Sequence, residues 1–347
     1  MLNRKYGIEI EAMFPRNQNG ASIAAAIAAG GVPCHFAGYT HARTTDWKVV
    51  TDGSLAGGNG FEVVSPPLFG EAGLEQVEKV CAALAQVQAS VNRTCGLHVH
   101  VDAGAMSAQA MRRLAVIYIE NENIIDSLMP MSRRASNNHY CGTLRNTSMP
   151  RLATARNAAE IAQAIAHGNR FVKLNYTAFL RHGTVEFRHH SGTVDASKIN
   201  KWILACLRMV ACSIKEANLP VDTTTAAPSH ARPRNRRLAT IFDAMQRPGG
   251  CTREDIRVLL NRATLPPMNR ILRNAGFEYR VTHAYGDRRT ERYVLADTPV
   301  AVAANVTATP ITFDAFCDRM EMPQDEKAFW IARRVAVSQT TLQTQAA

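Results

Sequence analysis

From Tyr6 to Phe14 apolar and ionisable residues alternate, with Ile8 and Ile10 set against Glu9 and Glu11. That is the period of a half-buried strand. An Ala/Ile-rich helix is predicted over Ala21–Ala29, stopped by Gly30-Gly31. Lys48–Val50 and Phe61–Val64 read as short strands around the turn Gly57-Gly58-Asn59-Gly60, closed by Pro66-Pro67. Over Glu71–Ser90, Leu74, Val77, Val80, Ala83, Leu84 and Val87 recur at helical spacing. A strand at Gly96–Asp102 is followed by a long helix at Ala108–Met129, ended by Pro130, and by a polar, irregular stretch from Ser132 to Arg151. A helix at Asn157–His167, strands at Val172–Tyr176 and Gly183–His189, and a helix at Ala196–Asn218 complete a first domain over residues 1–220.

The pattern then changes. Residues 221–233 are rich in Pro, Thr and Ala and read as a linker. Leu238–Met245 reads as a helix, Thr252 opens a second with Asp255 placed to complete its cap, and Pro266–Asn274 reads as a third. Strands at Phe277–Thr282 and Glu291–Leu295 flank a turn holding Arg288 and Arg289. Three helices and a basic hairpin in that order describe a small winged helix over residues 234–298. Residues 299–347 are expected to add two short helices, with the last ten residues disordered.

Charge sharpens this division. The chain carries a net +11. Between Arg232 and Asp297 lie fourteen Arg and no Lys against seven acidic residues, so this one block holds an excess of seven positive charges. Such a concentration points to a polyanionic partner, DNA above all, or to a well-solvated face. In a winged helix, Arg270 and Arg273 on the third helix and Arg288 and Arg289 on the wing are the candidate nucleic-acid contacts. Hydrophobic residues make up 46% and charged residues 20% of the 347, the balance of a globular protein. No run approaches the roughly 20 apolar residues of a membrane helix, so no membrane partner is expected. No signal-peptide pattern is visible, and the eight cysteines form no C-x-x-C pair. Both features favour reduced thiols in the cytoplasm.

The chemistry sits in the first domain, where ionisable residues fall two apart within apolar strands. Gly7-Ile8-Glu9-Ile10-Glu11 sets two carboxylates on one face, and Leu97-His98-Val99-His100-Val101 sets two imidazoles. Val185-Glu186-Phe187-Arg188-His189-His190 is expected to set Glu186, Arg188 and His190 together. Each motif alone has a plainer reading: a solvent-facing edge, two satisfied histidines, a salt bridge. Three such strands in one domain make a shared site the better account, because burying these charges is costly unless they meet a metal, a ligand or one another. Carboxylates and imidazoles without thiolates suit Mg²⁺ or Mn²⁺. No Walker-type G-x-x-x-x-G-K-[ST] is present, so a nucleotide would be held in another way.

The motifs G-I-E-I-E, T-D-G-S-L, G-F-E-V-V-S-P-P, G-L-H-V-H-V, L-N-Y and T-V-E-F-R-H-H, between Gly7 and about Trp202, together resemble the amidoligases. These are carboxylate–amine ligases that share the glutamine synthetase fold. The resemblance implies an α+β architecture, a curved and mainly antiparallel sheet with helices on its outer side. It implies that Glu9, His98 and Glu186 hold a metal bridging the phosphates of ATP. Glu11 and Glu62 would hold a second metal, with Asp52 a candidate third ligand, and Arg188 would steady the transferred phosphoryl group. The reaction implied joins a carboxylate substrate to an amine substrate through an acyl phosphate. Candidates for the base that takes the amine proton are His100, His190 and Asp52. Lys173 and Asn175 are candidate nucleotide or substrate contacts. Arg133, Arg134 and Arg145 either bind substrate carboxylate or phosphate or belong to an ordinary basic loop. Two other functions fit the same residues: a metal-dependent hydrolase, and a winged-helix DNA-binding protein on an inactive ligase scaffold.

Overall fold

The alternating segment at the N-terminus forms the centre of a seven-stranded sheet. A computed structural model describes residues 2–40, 42, 44–218, 235–245, 251–260, 272, 279–283, 291–295 and 312–345. In chain order the first elements are β1 (Tyr6–Phe14), α1 (Gly20–Ala29), β2 (Cys34–Gly38), β3 (Trp47–Val50), β4 (Asn59–Val64), α2 (Gly70–Gln86) and β5 (Gly96–Asp102). There follow α3 (Ala108–Ser127), α4 (Met149–Thr154), α5 (Ala158–Ala166), β6 (Leu174–Asn175), α6 (Ala178–His182), β7 (Thr184–Ser191) and α7 (Ala196–Asn218). The strand order is β2-β3-β4-β1-β5-β7-β6. Only the β2–β3 pair is parallel, so the sheet is mainly antiparallel and the class is α+β, as expected.

The two faces of the sheet divide along the sequence alternation. Ile8, Ile10, Val63, Leu97, Val99, Val101, Val185 and Phe187 are all fully or almost fully buried and form the core with α2, α3 and α7. The residues between them, Glu9, Glu11, Glu62, His98, His100 and Glu186, take the other face. Helices α1 and α3 begin at side-chain caps. Asn19 and Ser22 form a reciprocal capping box at α1, and Ser107 accepts from the Ala110 N–H at α3.

Three local differences from the sequence pattern have physical causes. Strand β2 had no alternation to betray it, because it is a largely exposed edge. Strand β6 is only two residues long; Val172 bridges to Gly142 and Lys173 turns its side chain to α3. The third is a register shift between β5 and β7, where Leu97 faces His190 and Val99 faces Phe187. The extra residue in β7 reverses the face that follows it. His190 is therefore fully buried against Trp202 of α7, at a ring separation of 5.4 Å. It does not share a face with Glu186 and Arg188, and it is withdrawn as a candidate base.

The chain divides into two compact units, Met1–Arg145 with Arg156–Asn218 and Thr309–Ala347, and Asn146–Ala155 with Leu219–Ala308. In the second, α8 (Arg236–Met245), β8 (Cys251–Thr252), α9 (Arg253–Leu259), β9 (Tyr279–His283) and β10 (Glu291–Leu295) are described, with strand order β8-β10-β9. Ile241, Phe242, Met245, Cys251, Ile256, Leu272 and Tyr293 form its core. The Thr252–Asp255 capping box is formed. The expected linker, the third helix apart from Leu272, and Arg270, Arg273, Arg288 and Arg289 lie outside the described residues.

The chain then returns to the first unit through α10 (Phe313–Arg319) and α11 (Gln324–Gln345). Trp330 meets Trp202 at 6.1 Å, Glu326 pairs with Arg208, and Arg319 pairs with Glu216 and Glu120. Helix α11 is 22 residues long, which corrects the expectation of a short helix and a disordered end. Among the described residues no helix is long and apolar enough to cross a membrane.

Candidate active site

Pairing across the sheet converts four separate sequence motifs into one cluster. Glu9 lies opposite His98, Glu11 opposite Glu62, and His100 opposite both Gly7 and Glu186. Six ionisable side chains from four adjacent strands thus share a few ångströms of one sheet face. Glu9, His98 and Glu186 offer donor atoms within 4.8 Å of one another, as do Glu11, Glu62 and His98. His98 belongs to both trios because its two nitrogens face different ways: Nδ1 is 2.9 Å from Glu9 and 3.7 Å from Glu186, and Nε2 is 3.6 Å from Glu11. His100 Nε2 stands 3.3 Å from Glu9, while its Nδ1 meets the Thr184 hydroxyl at 3.0 Å. The third donor beside Glu11 and Glu62 is therefore His98. Asp52 is not in that trio; its Oδ1 accepts the Ser54 N–H.

The surroundings hold these groups in place. Glu186 accepts from Asn175 Nδ2 at 2.7 Å and pairs with the Arg188 guanidinium. Arg188 also donates to the Tyr140 carbonyl. At the other end, the Gly96 N–H donates to Glu11 at 2.5 Å. A Cβ at Gly96 would come within 3.0 Å of His98 Nε2, 3.1 Å of an Arg133 nitrogen and 3.3 Å of Glu11. Only glycine leaves that corner open. Arg133 thus reaches the cluster, anchored on the Cys95 carbonyl at 2.5 Å. Arg134 donates to the Met129 carbonyl, and Arg145 pairs with Asp126 at 2.9 Å.

The electrostatics are those of a cluster short of positive charge. Burial works against ionised Glu9, yet His100 and His98 hold its carboxyl well below the usual range. Burial likewise opposes ionisation of Glu186, and Arg188 with the two histidines overcomes it. Glu62 goes the other way: burial first, then Glu9, Glu11 and Asp52, push its carboxyl well up. Like charges this close are tolerated when a cation joins them. The donors are oxygens and imidazole nitrogens with no thiolate, so they fit hard divalent ions.

Lys173 corrects an expectation. It is fully buried, with its ammonium 2.7 Å from Glu122 and 2.6 Å from Asp126 of α3, and no ligand can reach it in this arrangement. Asp126 also bonds His189 Nε2 at 2.8 Å, and His189 Nδ1 bonds Tyr118 at 2.7 Å. Glu122 holds Thr143 and the Leu144 N–H, and Asp126 holds the Ala135 N–H. This network pins the 131–145 loop that carries Arg133 and Tyr140. Its signal in the sequence is two acids four apart in a helix, Glu122 and Asp126. Lys48 was also missed, a lone lysine in the strand Trp47-Lys48-Val49-Val50. It is nearly fully buried, and its residue lines a cavity of about 360 Å³ beside Glu9, Glu62 and His100.

Residues 2–210 match the family model described as "Putative amidoligase enzyme". The chain belongs to this amidoligase family. A solved structure titled "Crystal structure of novel glutamine synthase homolog" is similar at 13% identity and a TM-score of 0.35, over 74% of this chain and 63% of that one. The chain thus spans less than two thirds of that protein's length. No match was found among curated proteins. The matched residues of the amidoligase family contain every member of the carboxylate–imidazole cluster.

Proposed function

We propose that this amidoligase joins a carboxylate to an amine with consumption of ATP, and that the reaction takes place on the face carrying Glu9, Glu11, Glu62, His98 and Glu186. The observation that carries the reading is the convergence of four carboxylates and one imidazole in two trios that share His98. ATP and divalent ions, when bound, supply the phosphoryl group that makes the carboxylate an electrophile and the positive charge that offsets transfer. Glu9 and Glu186 would hold one ion and Glu11 and Glu62 the other, with the single lone-pair nitrogen of His98 serving one of the two.

The remaining work falls to the chain's own groups. Arg188 is aligned by Glu186 and the Tyr140 carbonyl, so its planar fork is oriented before any phosphoryl oxygen arrives. Arg133 brings a second guanidinium to the Gly96 corner. Burial opposes a charged His100, but Glu9 and Glu186 overcome it and favour the protonated ring, so its Nε2, 3.3 Å from Glu9, offers the cluster positive charge. Asn175 fixes the free oxygen of Glu186.

The test is ADP release by the purified chain with Mg²⁺, ATP, and a panel of carboxylic acids and amines. Glu9→Gln and Glu186→Gln keep shape and remove ligand charge. Each should lower ADP release at least about 100-fold, equivalent to roughly 2.7 kcal/mol, with unfolding midpoints unchanged. Normal turnover in both variants would sink the assignment. Hydrolysis of an amide without ATP would instead favour the metal-dependent hydrolase, for which the same donors could activate water.

For the second unit we infer a separate role in binding DNA. Its helix, strand, helix and basic hairpin order, with Arg280 and Arg292 on β9 and β10, supports a winged helix. The full chain should then bind duplex DNA with an affinity that falls steeply with salt. No binding at low salt removes this reading.

A further inference from the structure

The guanidinium of Arg188 is held by two polar groups and by one ring. Glu186 pairs with its Nη1, and the Tyr140 carbonyl accepts from its Nε–H at 3.4 Å. Guanidinium N–H groups all point within its plane. Hydrogen bonds at two of them therefore fix the edges and leave a hinge between. Phe171 supplies a contact of another kind: Arg188 Cζ lies over its ring, 6.0 Å from the centre. A cation at that range is attracted by the ring quadrupole, by about 0.5–1 kcal/mol where the site is partly exposed.

Phe171 is itself fixed from two directions. Its ring meets Tyr140 edge-on at 5.2 Å and His139 at 5.7 Å. Its carbonyl accepts from the Gly142 N–H at 2.9 Å, the Gly142 carbonyl accepts from the Lys173 N–H at 3.0 Å, and the Lys173 carbonyl accepts from the Arg188 N–H at 2.8 Å. The residue ahead of β6 is thus stitched to the loop that delivers the Tyr140 carbonyl, and to the main chain of Arg188. Phe171 is only partly buried, so filling the core is not its main contribution. A second guanidinium, that of the exposed Arg170, lies over the same ring at 4.9 Å. Arg170 forms no ion pair among the described residues. Arg188 differs: its side chain is 12% exposed and is turned to Glu186 of the cluster.

We propose that Phe171 is a positioning residue of the candidate active site, whose ring removes the remaining freedom of the Arg188 fork. An aromatic ring is needed, because an aliphatic side chain of similar bulk has no quadrupole to hold the cation. What Arg188 does once positioned rests on the ligase reading of the cluster, and the test separates the two.

Two measurements on the full chain test this. The first is nuclear magnetic resonance with ¹⁵N-arginine, which reads Arg188 without substrate once Arg188→Lys has assigned its signals. Wild type should show a through-space contact between the Arg188 guanidinium and the Phe171 ring, and separate signals for the two Nη groups. Phe171→Leu should merge those signals as the group turns faster, and Phe171→Tyr, which keeps the ring, should hold them apart. The second is ADP release with Mg²⁺–ATP. Phe171→Leu should lower kcat about fivefold, near 1 kcal/mol, with KM for ATP within about twofold, and Phe171→Tyr should restore kcat. A ring that only supports the fold would lower the urea midpoint and leave kcat of the folded protein unchanged. The proposal is overturned if wild type shows no contact between ring and guanidinium. It is equally overturned if Phe171→Leu leaves either the Nη signals or kcat as in wild type. Arg170→Gln should change neither; if it reproduces Phe171→Leu, the ring serves Arg170 and the proposal falls. The contact in wild type needs no variant, so a misfolded Phe171→Leu leaves the proposal open to failure. In a chain that releases no ADP with any acid and amine, the resonance measurement decides alone, and only the ligase reading is removed.

Discussion

Two clusters of charged groups lie within one unit of this protein, built from the same residue types and in opposite states. On the open face of the sheet, Glu9, Glu11, Glu62 and Glu186 crowd around two histidines, and the carboxyl of Glu62 is pushed up by burial and by its neighbours. Between β7 and α3, Glu122, Asp126, Lys173 and His189 are buried more deeply, yet each finds its partner. Lys173 bonds both acids, His189 bonds Asp126 and Tyr118, and Glu122 bonds Thr143 and a main-chain N–H. Burial of charge is thus common to both clusters, and the balance of sign is what separates them. A closed network serves as scaffold, and here it holds the loop that delivers Arg133.

The largest effect expected from breaking this contrast is on the closed side. Lys173→Met removes the buried ammonium from Glu122 and Asp126, leaving them the half-exposed Arg145 alone, and should cost about 3 kcal/mol in urea unfolding. A loss below about 1 kcal/mol would show that the network is not the support described.

Next comes acid. Burial first, against the pull of Asp126, lowers His189 to about 4, and burial lowers His190 to about 3, from an ordinary 6.5. Both stay neutral in the fold and take up protons when unfolded. Their contribution is full above about pH 6.5 and is lost as pH falls toward 4, about 3 kcal/mol for His189. His189→Asn should flatten that fall in the urea midpoint between about pH 7 and 4. An unchanged slope would refute the assignment.

On the open side, Arg188→Lys keeps charge and loses the fork. Turnover should fall about tenfold, near 1.4 kcal/mol, with a smaller change in ATP affinity. A normal rate would reduce Arg188 to an ion-pair partner of Glu186. The smallest effect is the most diagnostic. Without metal, Glu62→Gln removes a repelled carboxylate and should raise the melting temperature by about 3 °C, roughly 1 kcal/mol. Added Mg²⁺ should stabilise wild type more than the variant. A variant that melts lower without metal would mean that Glu62 is not under repulsion.

Much of this was legible in the chain. Alternation in β1, β5 and β7 placed Glu9, Glu11, His98, His100, Glu186 and Arg188 on strands and on one side, because period two is a local property of the backbone. Residue type alone indicated oxygen and nitrogen donors for a hard cation. The motifs carried the family, and the match over residues 2–210 agrees with it.

What stayed hidden depended on pairing between distant segments. A bulge in β7 is set by how two strands far apart in the chain come into register, and it moved His190 from the site to the core. Whether Lys173 faced ligand or helix depended on where Glu122 and Asp126 came to lie. The return of α10 and α11 to the first unit is fixed by Trp202–Trp330 and Arg319 contacts over more than a hundred residues. By itself, then, the sequence determined which residues alternate, which carry charge and which chemistry they suit. The tertiary structure decided which charges are answered and which are left open, because an ion pair or its absence is made in space by partners that local patterning does not record.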